Sequence, residues 1–414
     1  MLTAPQLPLP VRSFNAVVRA TWKLGRRPLA LDVPSLLAAA RAQTGLDDFG
    51  PGTFREGLEC LVQSLEDEAR LSPLGRVIAQ QEILMALTSR QQLFDYHRRF
   101  PEIGRGAISE PVFIIGQGRS GTTIMHELFN LDERLRIPRT WEVDHPFPPP
   151  ETDSYNTDPR IAAADKTLAR ANFILPAFKR IHRMGATLPQ ECVRFTTHEF
   201  TSLIFWTNYN VPTYAKWLKE EADLKPTYAY HRLFLQLLQW CHPRSPWVLK
   251  SPGHLWSLGE LLDEYPDARF VQTHRDPLRM LASLTSLMTH LRKMASDEVD
   301  AAVIAREWAE WNALGLNESA AFRASGRIAE DRVVDVDFHD FMRSPVTELG
   351  RIYDTLGLEL SEAVAARMTD YLAVHNDQQH GAHRYTFDDT GLDRDTERER
   401  VEPYQQFFST PVEV

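Results

Sequence analysis

The sequence predicts an α/β protein: a mainly parallel sheet in a three-layer sandwich, preceded by N-terminal helices and interrupted by a helical or irregular insertion. Two observations carry this. A short, continuous apolar run of β-formers occurs at 111–116 (PVFIIG), and further short apolar strand candidates occur at 246–250 (PWVLK), 268–277 (ARFVQTHRDP) and 332–338 (RVVDVDF). Unbroken apolar runs of this length mark strands buried on both faces. Helical spacing then follows in Thr122–Leu131, His254–Glu264, Leu278–Met294 and Pro345–Leu356. Strands alternating with helices require crossover connections and hence a parallel sheet.

The other elements follow in chain order. Residues 1–105 read as a helical region packed on the core, because Val33–Thr44, Thr53–Ala69 and Leu74–Phe100 carry apolar residues three and four apart, punctuated by Pro73 and Pro101. Val11–Pro28 holds Arg12, Arg19, Lys23, Arg26 and Arg27 without an acid, interleaved with Val17, Val18 and Trp22. Such a basic amphipathic stretch suits either a docked first helix or peripheral membrane contact. From 106 to 414 the chain reads as one α/β domain with an insertion at about 139–245, rich in Pro and aromatics. The polar stretch from about 376 to 414 reads as irregular.

Composition narrows the function. Its 414 residues suit two or three domains, or one large domain with a helical appendage. Lys+Arg total 46 against 56 Asp+Glu, a net charge of −10, which argues against nucleic acid as the main partner. A small anionic ligand needs only a local positive site. No run of about 18 uncharged apolar residues exists to span a bilayer. The N-terminal residues lack a positive-then-apolar leader. Three cysteines, Cys60, Cys192 and Cys241, make no disulfide framework and no CxxC pair. The cytoplasm is the expected compartment.

The chemistry begins at Gly116–Thr123, between the first strand and its helix. Successive backbone N–H groups there can wrap a phosphate, aided by the positive helix N-terminus. Gly118 and Gly121 permit close backbone approach, Ser120, Thr122 and Thr123 offer hydroxyls, and Arg119 offers a cation. The loop is P-loop-like without the GK[ST] of nucleotide kinases. Lys250 sits at the end of the second strand run. Arg275 ends the third, with Ser283 eight residues on in the next helix. Ligands of parallel sheets bind at these strand ends. Arg275 suits a second phosphate, or an ion pair with Asp276 or another acid.

Together these motifs resemble the bacterial sulfotransferases that use 3′-phosphoadenosine 5′-phosphosulfate (PAPS), with their PRSGTT-type loop and LKSPGH and THRDP signatures. The similarity covers about 105–405, including TWEVDHPFPPP and the HGAHRYTFDDTGLD block. The resemblance implies that residues 118–123 cradle the 5′-phosphosulfate and that Arg275 and Ser283 hold the 3′-phosphate. It implies that Lys250 contacts the transferred group, and that His380, Gly381, Arg384 and Tyr385 belong to a segment closing over the nucleotide. Arg119, Lys250 and the loop amides would stabilise charge growing on the leaving oxygen. Glu142 occupies the place of the glutamate base of relatives, with Asp144, His145 and Glu191 as competitors. No metal is expected: His290, His375, His380 and His383 have no convincing ligand spacing, and sulfuryl transfer needs no cation.

The acceptor would be a small molecule, lipid or carbohydrate with a hydroxyl. Phe195, Phe200, Phe205, Trp206, Tyr209, Tyr214 and Trp217 are either core or an apolar acceptor wall. The rival readings are a P-loop nucleotide kinase and a nucleotide-binding protein without catalysis.

Overall fold

The four predicted strands form one parallel sheet: β1 (Val112–Ile115), β2 (Val248–Lys250), β3 (Arg269–His274) and β4 (Val333–Asp337), in the order β2-β1-β3-β4. In the computed structural model, residues 4–22, 31–174, 176, 183–376 and 386–414 are described. Phe113 is in register with Leu249 and Phe270, and Ile114 with Lys250 and Val271. Side chains alternate between faces along a strand. Val112 and Ile114 therefore pack on one side with Met125, Val334, Ile352 and Met368. Phe113 and Ile115 pack on the other with Phe234, Leu237, Leu261 and Leu316. Helices cover both faces, which is the three-layer arrangement.

The N-terminal helices are α1 (Leu9–Trp22), α2 (Val33–Thr44), α3 (Phe54–Asp67) and α4 (Pro73–Arg99). Asp32 caps α2 by accepting from Ser35 N at 2.9 Å, and Gly45, at φ +70°, ends it. Ser72 caps α4, with Pro73 at its first turn. α2, α3 and α4 share a hydrophobic core with Phe200, Trp206, Leu281 and Trp308, and the Trp206 and Trp308 rings stack at 4.2 Å. α1 docks through Leu7 and Val11 on Leu74, Leu287 and Leu291, and Asn15 accepts from Leu74 N at 3.0 Å.

The insertion is helical, with Pro159–Ile174 and Lys225–Gln239 its longest helices among the described residues. Its aromatics Phe195, Phe200, Phe205, Trp206, Tyr209, Tyr214 and Trp217 are all buried, so they are core. One expectation fails: the segment read as irregular carries a helix at Arg394–Phe408. Asp393 caps it through Thr396 N at 2.9 Å, and its inward Val401 and Tyr404 are buried. Dense charge and Pro403 conceal its narrow apolar stripe.

Candidate functional site

The loop after β1 leads into α5 (Thr122–Phe129), whose cap residue Gly121 has φ +87° and leaves the first N–H groups of the helix without a side-chain cap. Uncapped amides at a helix N-terminus suit an anion. Gly116 has φ +145°, and a Cβ there would lie 2.2 Å from Thr273 Oγ1. Ser120 donates to Gln117 O at 2.5 Å and shares a 2.7 Å hydrogen bond with Thr273. Thr273, at the end of β3, thus braces the loop from below. Gly118 faces Leu284, the neighbour of Ser283, at 3.0 Å from a would-be Cβ. Arg119 is exposed, with φ +78°.

Lys250 lies beside this loop. Its Nζ is 3.5 Å from Thr123 Oγ1 and forms an ion pair with Glu191. Lys250 is almost fully buried, while Glu191 is part-exposed. His126, one turn into α5, contacts Val248 O at 3.1 Å. Burial, and then the Lys250 charge, lower its pKa to about 3, so it is neutral at ordinary pH.

Arg275 stands on the other side of the loop. Its guanidinium stacks on Phe338 at 3.8 Å and donates to Arg119 O at 3.0 Å. The Phe338 ring in turn lies 3.3 Å from a would-be Cβ on Gly121. Arg275 does not pair with Asp276. It pairs with Glu413, Nε to Oε1 at 3.0 Å and Nη2 to Oε2 at 3.3 Å. Asp276 is fully buried. It accepts from Arg398 at 2.7 and 3.1 Å and from Glu413 N at 2.6 Å, and so delivers Glu413 to Arg275. His339 and Arg279 also reach the Glu413 carboxylate, at 3.1 and 4.0 Å.

A model of the sulfotransferase family matches residues 111–362, which hold this loop, Lys250 and Arg275. The chain belongs to the sulfotransferase family. The enzyme's solved relatives include sulfotransferase STF1 of Mycobacterium tuberculosis H37Rv, 31% identical over 91% of this chain and 99% of that one, TM-score 0.79. Sulfotransferase STF9 of Mycobacterium avium is 28% identical over 94% and 99%, TM-score 0.84. The omega-hydroxy-beta-dihydromenaquinone-9 sulfotransferase Stf3 of Mycobacterium bovis (strain ATCC BAA-935 / AF2122/97) is 24% identical over 73% of this chain and 76% of its own. Membership settles the kinase and non-catalytic alternatives in favour of a sulfotransferase, and the family implies PAPS as co-substrate.

Within the sulfotransferase, Glu142 is no free carboxylate. It is fully buried and grips Arg136 with both oxygens, at 2.8 and 2.6 Å. Tyr155 and Arg139 N add bonds at 2.8 and 2.9 Å. Burial works against the Arg136 charge, but Glu142 and Tyr155 outweigh it and raise the pKa. The geometry makes Glu142 the counter-ion of a buried arginine, with no exposed lone pair to receive an acceptor's proton. The competitor Asp144 pairs with Arg194 at 3.2 Å. Ser283 is part-buried on the helix Pro277–Ala295. His380, Gly381, Arg384 and Tyr385 lie outside the described residues.

Sequence reasoning named Asp276 only as a possible partner of Arg275, and it assigned no part to Thr273, Phe338 or Glu413. Thr273 and Asp276 lie within THRDP and were legible there. Phe338 and Glu413 arrive from distant segments without a motif.

A cavity of about 180 Å³ opens beside the turn that follows Lys250. Val193, Leu203, Leu218, Trp256 and Trp311 form its apolar wall, with Ser251 and His254 on one side. None of the seven insertion aromatics lines it. No described helix is long and apolar enough to cross a membrane.

Proposed function

We propose that this sulfotransferase moves the sulfuryl group of PAPS to the hydroxyl of a small or lipid-like acceptor with an apolar body, and that Glu191 is the base. The observation that carries this reading is the Lys250–Glu191 pair beside Thr123 at the mouth of an uncapped, glycine-shaped loop. The loop 118–123 takes the 5′-phosphosulfate. Arg275, with Ser283, takes the 3′-phosphate. His380, Gly381, Arg384 and Tyr385 are proposed as further nucleotide-binding residues from the resemblance alone.

In the reaction the acceptor oxygen bonds to sulfur as the bond from sulfur to the bridging oxygen breaks. That electron pair leaves on the nucleotide's 5′-phosphate, and the hydroxyl proton passes to Glu191. Lys250, Arg119 and the loop amides face the growing charge. They supply the positive potential that a metal would otherwise provide, so transfer is expected to persist in a chelator. The cavity beside Val193 and Trp311 suits the apolar part of the acceptor, and the dihydromenaquinone derivative named for Stf3 is an acceptor of that kind. The free thiols Cys60, Cys192 and Cys241 support a cytoplasmic setting. Exposed Leu9, Phe14 and Val17 beside Arg12 on α1 support peripheral contact with a membrane.

The test is transfer of labelled sulfate from PAPS across phenols, sterols, quinols and sugars. Turnover is expected on an apolar alcohol or quinol and lost in Glu191→Gln. Transfer to sugars alone would remove the acceptor reading, and full activity of Glu191→Gln would remove the base.

A further inference from the structure

On the face of the sheet opposite α5, a thiol and two imidazoles converge. Cys192 precedes the turn Val193–Thr196, His231 lies in the helix Lys225–Gln239, and His254 lies in the 3-10 turn Pro252–Trp256. All three are buried, and their ligand atoms lie within 4.8 Å of one another. We propose that Cys192, His231 and His254 bind one thiophilic d10 cation, Zn²⁺ or Cu⁺, as a structural ion behind the transfer site.

Two features separate this trio from ordinary core packing. First, Nε2 of His231 and Nε2 of His254 are both buried and have no hydrogen-bond partner. A buried polar atom left unpaired is costly, and here both belong to rings that each bring a ligand nitrogen within 4.8 Å of the same thiol sulfur. Second, the outer nitrogens are held. His231 Nδ1 contacts Tyr265 OH at 2.7 Å, and His254 Nδ1 contacts Tyr228 OH at 2.8 Å. Tyr228 continues to Ser257 Oγ at 2.7 Å, and Ser257 donates to Gly253 O at 3.4 Å. With each Nδ1–H donating along these chains, each Nε2 keeps an unshared lone pair, as outer hydrogen-bond partners ensure for metal-ligating histidines.

The chemistry of the set selects the ion. One thiolate and two neutral imidazoles, without a carboxylate, suit zinc or cuprous copper and not magnesium or calcium. Burial holds the His254 pKa down at about 3 and that of His231 well below its ordinary value, so both rings are in the neutral, ligating form. Burial also raises the Cys192 pKa. Cation binding therefore displaces the thiol proton to solvent as the metal–sulfur bond forms. Three atoms this close share a point within about 2.8 Å of each, so a contraction of about 0.5–0.8 Å reaches the 2.0–2.3 Å of metal–nitrogen and metal–sulfur bonds. Phe113 and Phe195 pack on the rings at 5.1 and 4.8 Å and make an apolar shell.

The ion would tie together pieces that also carry the transfer residues. Cys192 follows Glu191, and its N–H donates to Lys250 O at 2.9 Å. His254 lies four residues after Lys250.

The test uses the full chain, purified under reductant and loaded separately with Zn²⁺ and with Cu⁺, then desalted and analysed for metal by mass spectrometry. One equivalent of one ion, with a raised melting temperature, is expected. Cys192→Ala should retain less than a tenth of that equivalent, while Cys60→Ala should retain all of it. If Cys192→Ala does not fold, Co²⁺ loaded into the unmodified protein decides the matter, because thiolate ligation gives a sulfur-to-cobalt charge-transfer band. The proposal is overturned if neither ion is retained, if Cys192→Ala retains the full equivalent, or if bound Co²⁺ shows no such band.

Discussion

Both carboxylate oxygens of Glu413 lie on one edge of the Arg275 guanidinium, at 3.0 and 3.3 Å. A carboxylate and a phosphate compete for such a fork, because each offers paired oxygens of negative charge. The 3′-phosphate assigned to Arg275 must therefore displace Glu413 or meet its repulsion.

Glu413→Gln is accordingly expected to tighten binding of 3′-phosphoadenosine 5′-phosphate about tenfold, or about 1.4 kcal/mol. Isothermal titration calorimetry reads this directly. Weaker binding would mean that Glu413 orients Arg275 instead of competing with the nucleotide.

Glu142 and Glu191 should separate cleanly by their effects. Glu142→Gln leaves Arg136 charged and without its carboxylate in the interior. Breaking a buried pair from one side costs about 3–5 kcal/mol, so a large fall in melting temperature is expected. Glu191→Gln should leave nucleotide affinity little changed and reduce kcat on the order of 10²–10⁴-fold. A stable Glu142→Gln enzyme with lost turnover would reverse the two roles.

The loop after β1 tolerates no side chain at Gly116. A Cβ there would lie 2.2 Å from Thr273 Oγ1 at a backbone angle of φ +145°, a region that residues other than glycine rarely adopt. Gly116→Ala should push the loop off Thr273 and weaken nucleotide binding at least tenfold, measured by the same titration. Unchanged affinity would show that the loop does not carry the phosphates.

Much of the fold was legible because local signals agreed. The apolar runs at Val112–Ile115 and Arg269–His274 are short, β-rich and bounded by turn residues. α2 and α4 begin on Asp32 and Ser72, with a proline in the first turn. The helix Arg394–Phe408 was missed because its burial rests on few residues, Val401 and Tyr404 among them, within a strongly charged run. The loop proposed to hold the phosphates is marked by glycines and hydroxyls at one strand end. The spacing of Glu142 from the loop says nothing about Arg136, whose buried guanidinium it grips. Glu413 carries no motif, and only folding brings it 138 residues back to Arg275.

The most direct measurement is calorimetric titration of the unmodified enzyme with 3′-phosphoadenosine 5′-phosphate and with 5′-AMP, repeated on Arg275→Ala. The 3′-phosphorylated nucleotide is expected to bind at least tenfold tighter, about 1.4 kcal/mol, and Arg275→Ala to erase most of that difference. Equal affinity of the unmodified enzyme for the two nucleotides would contradict the assignment of this site to the sulfuryl donor.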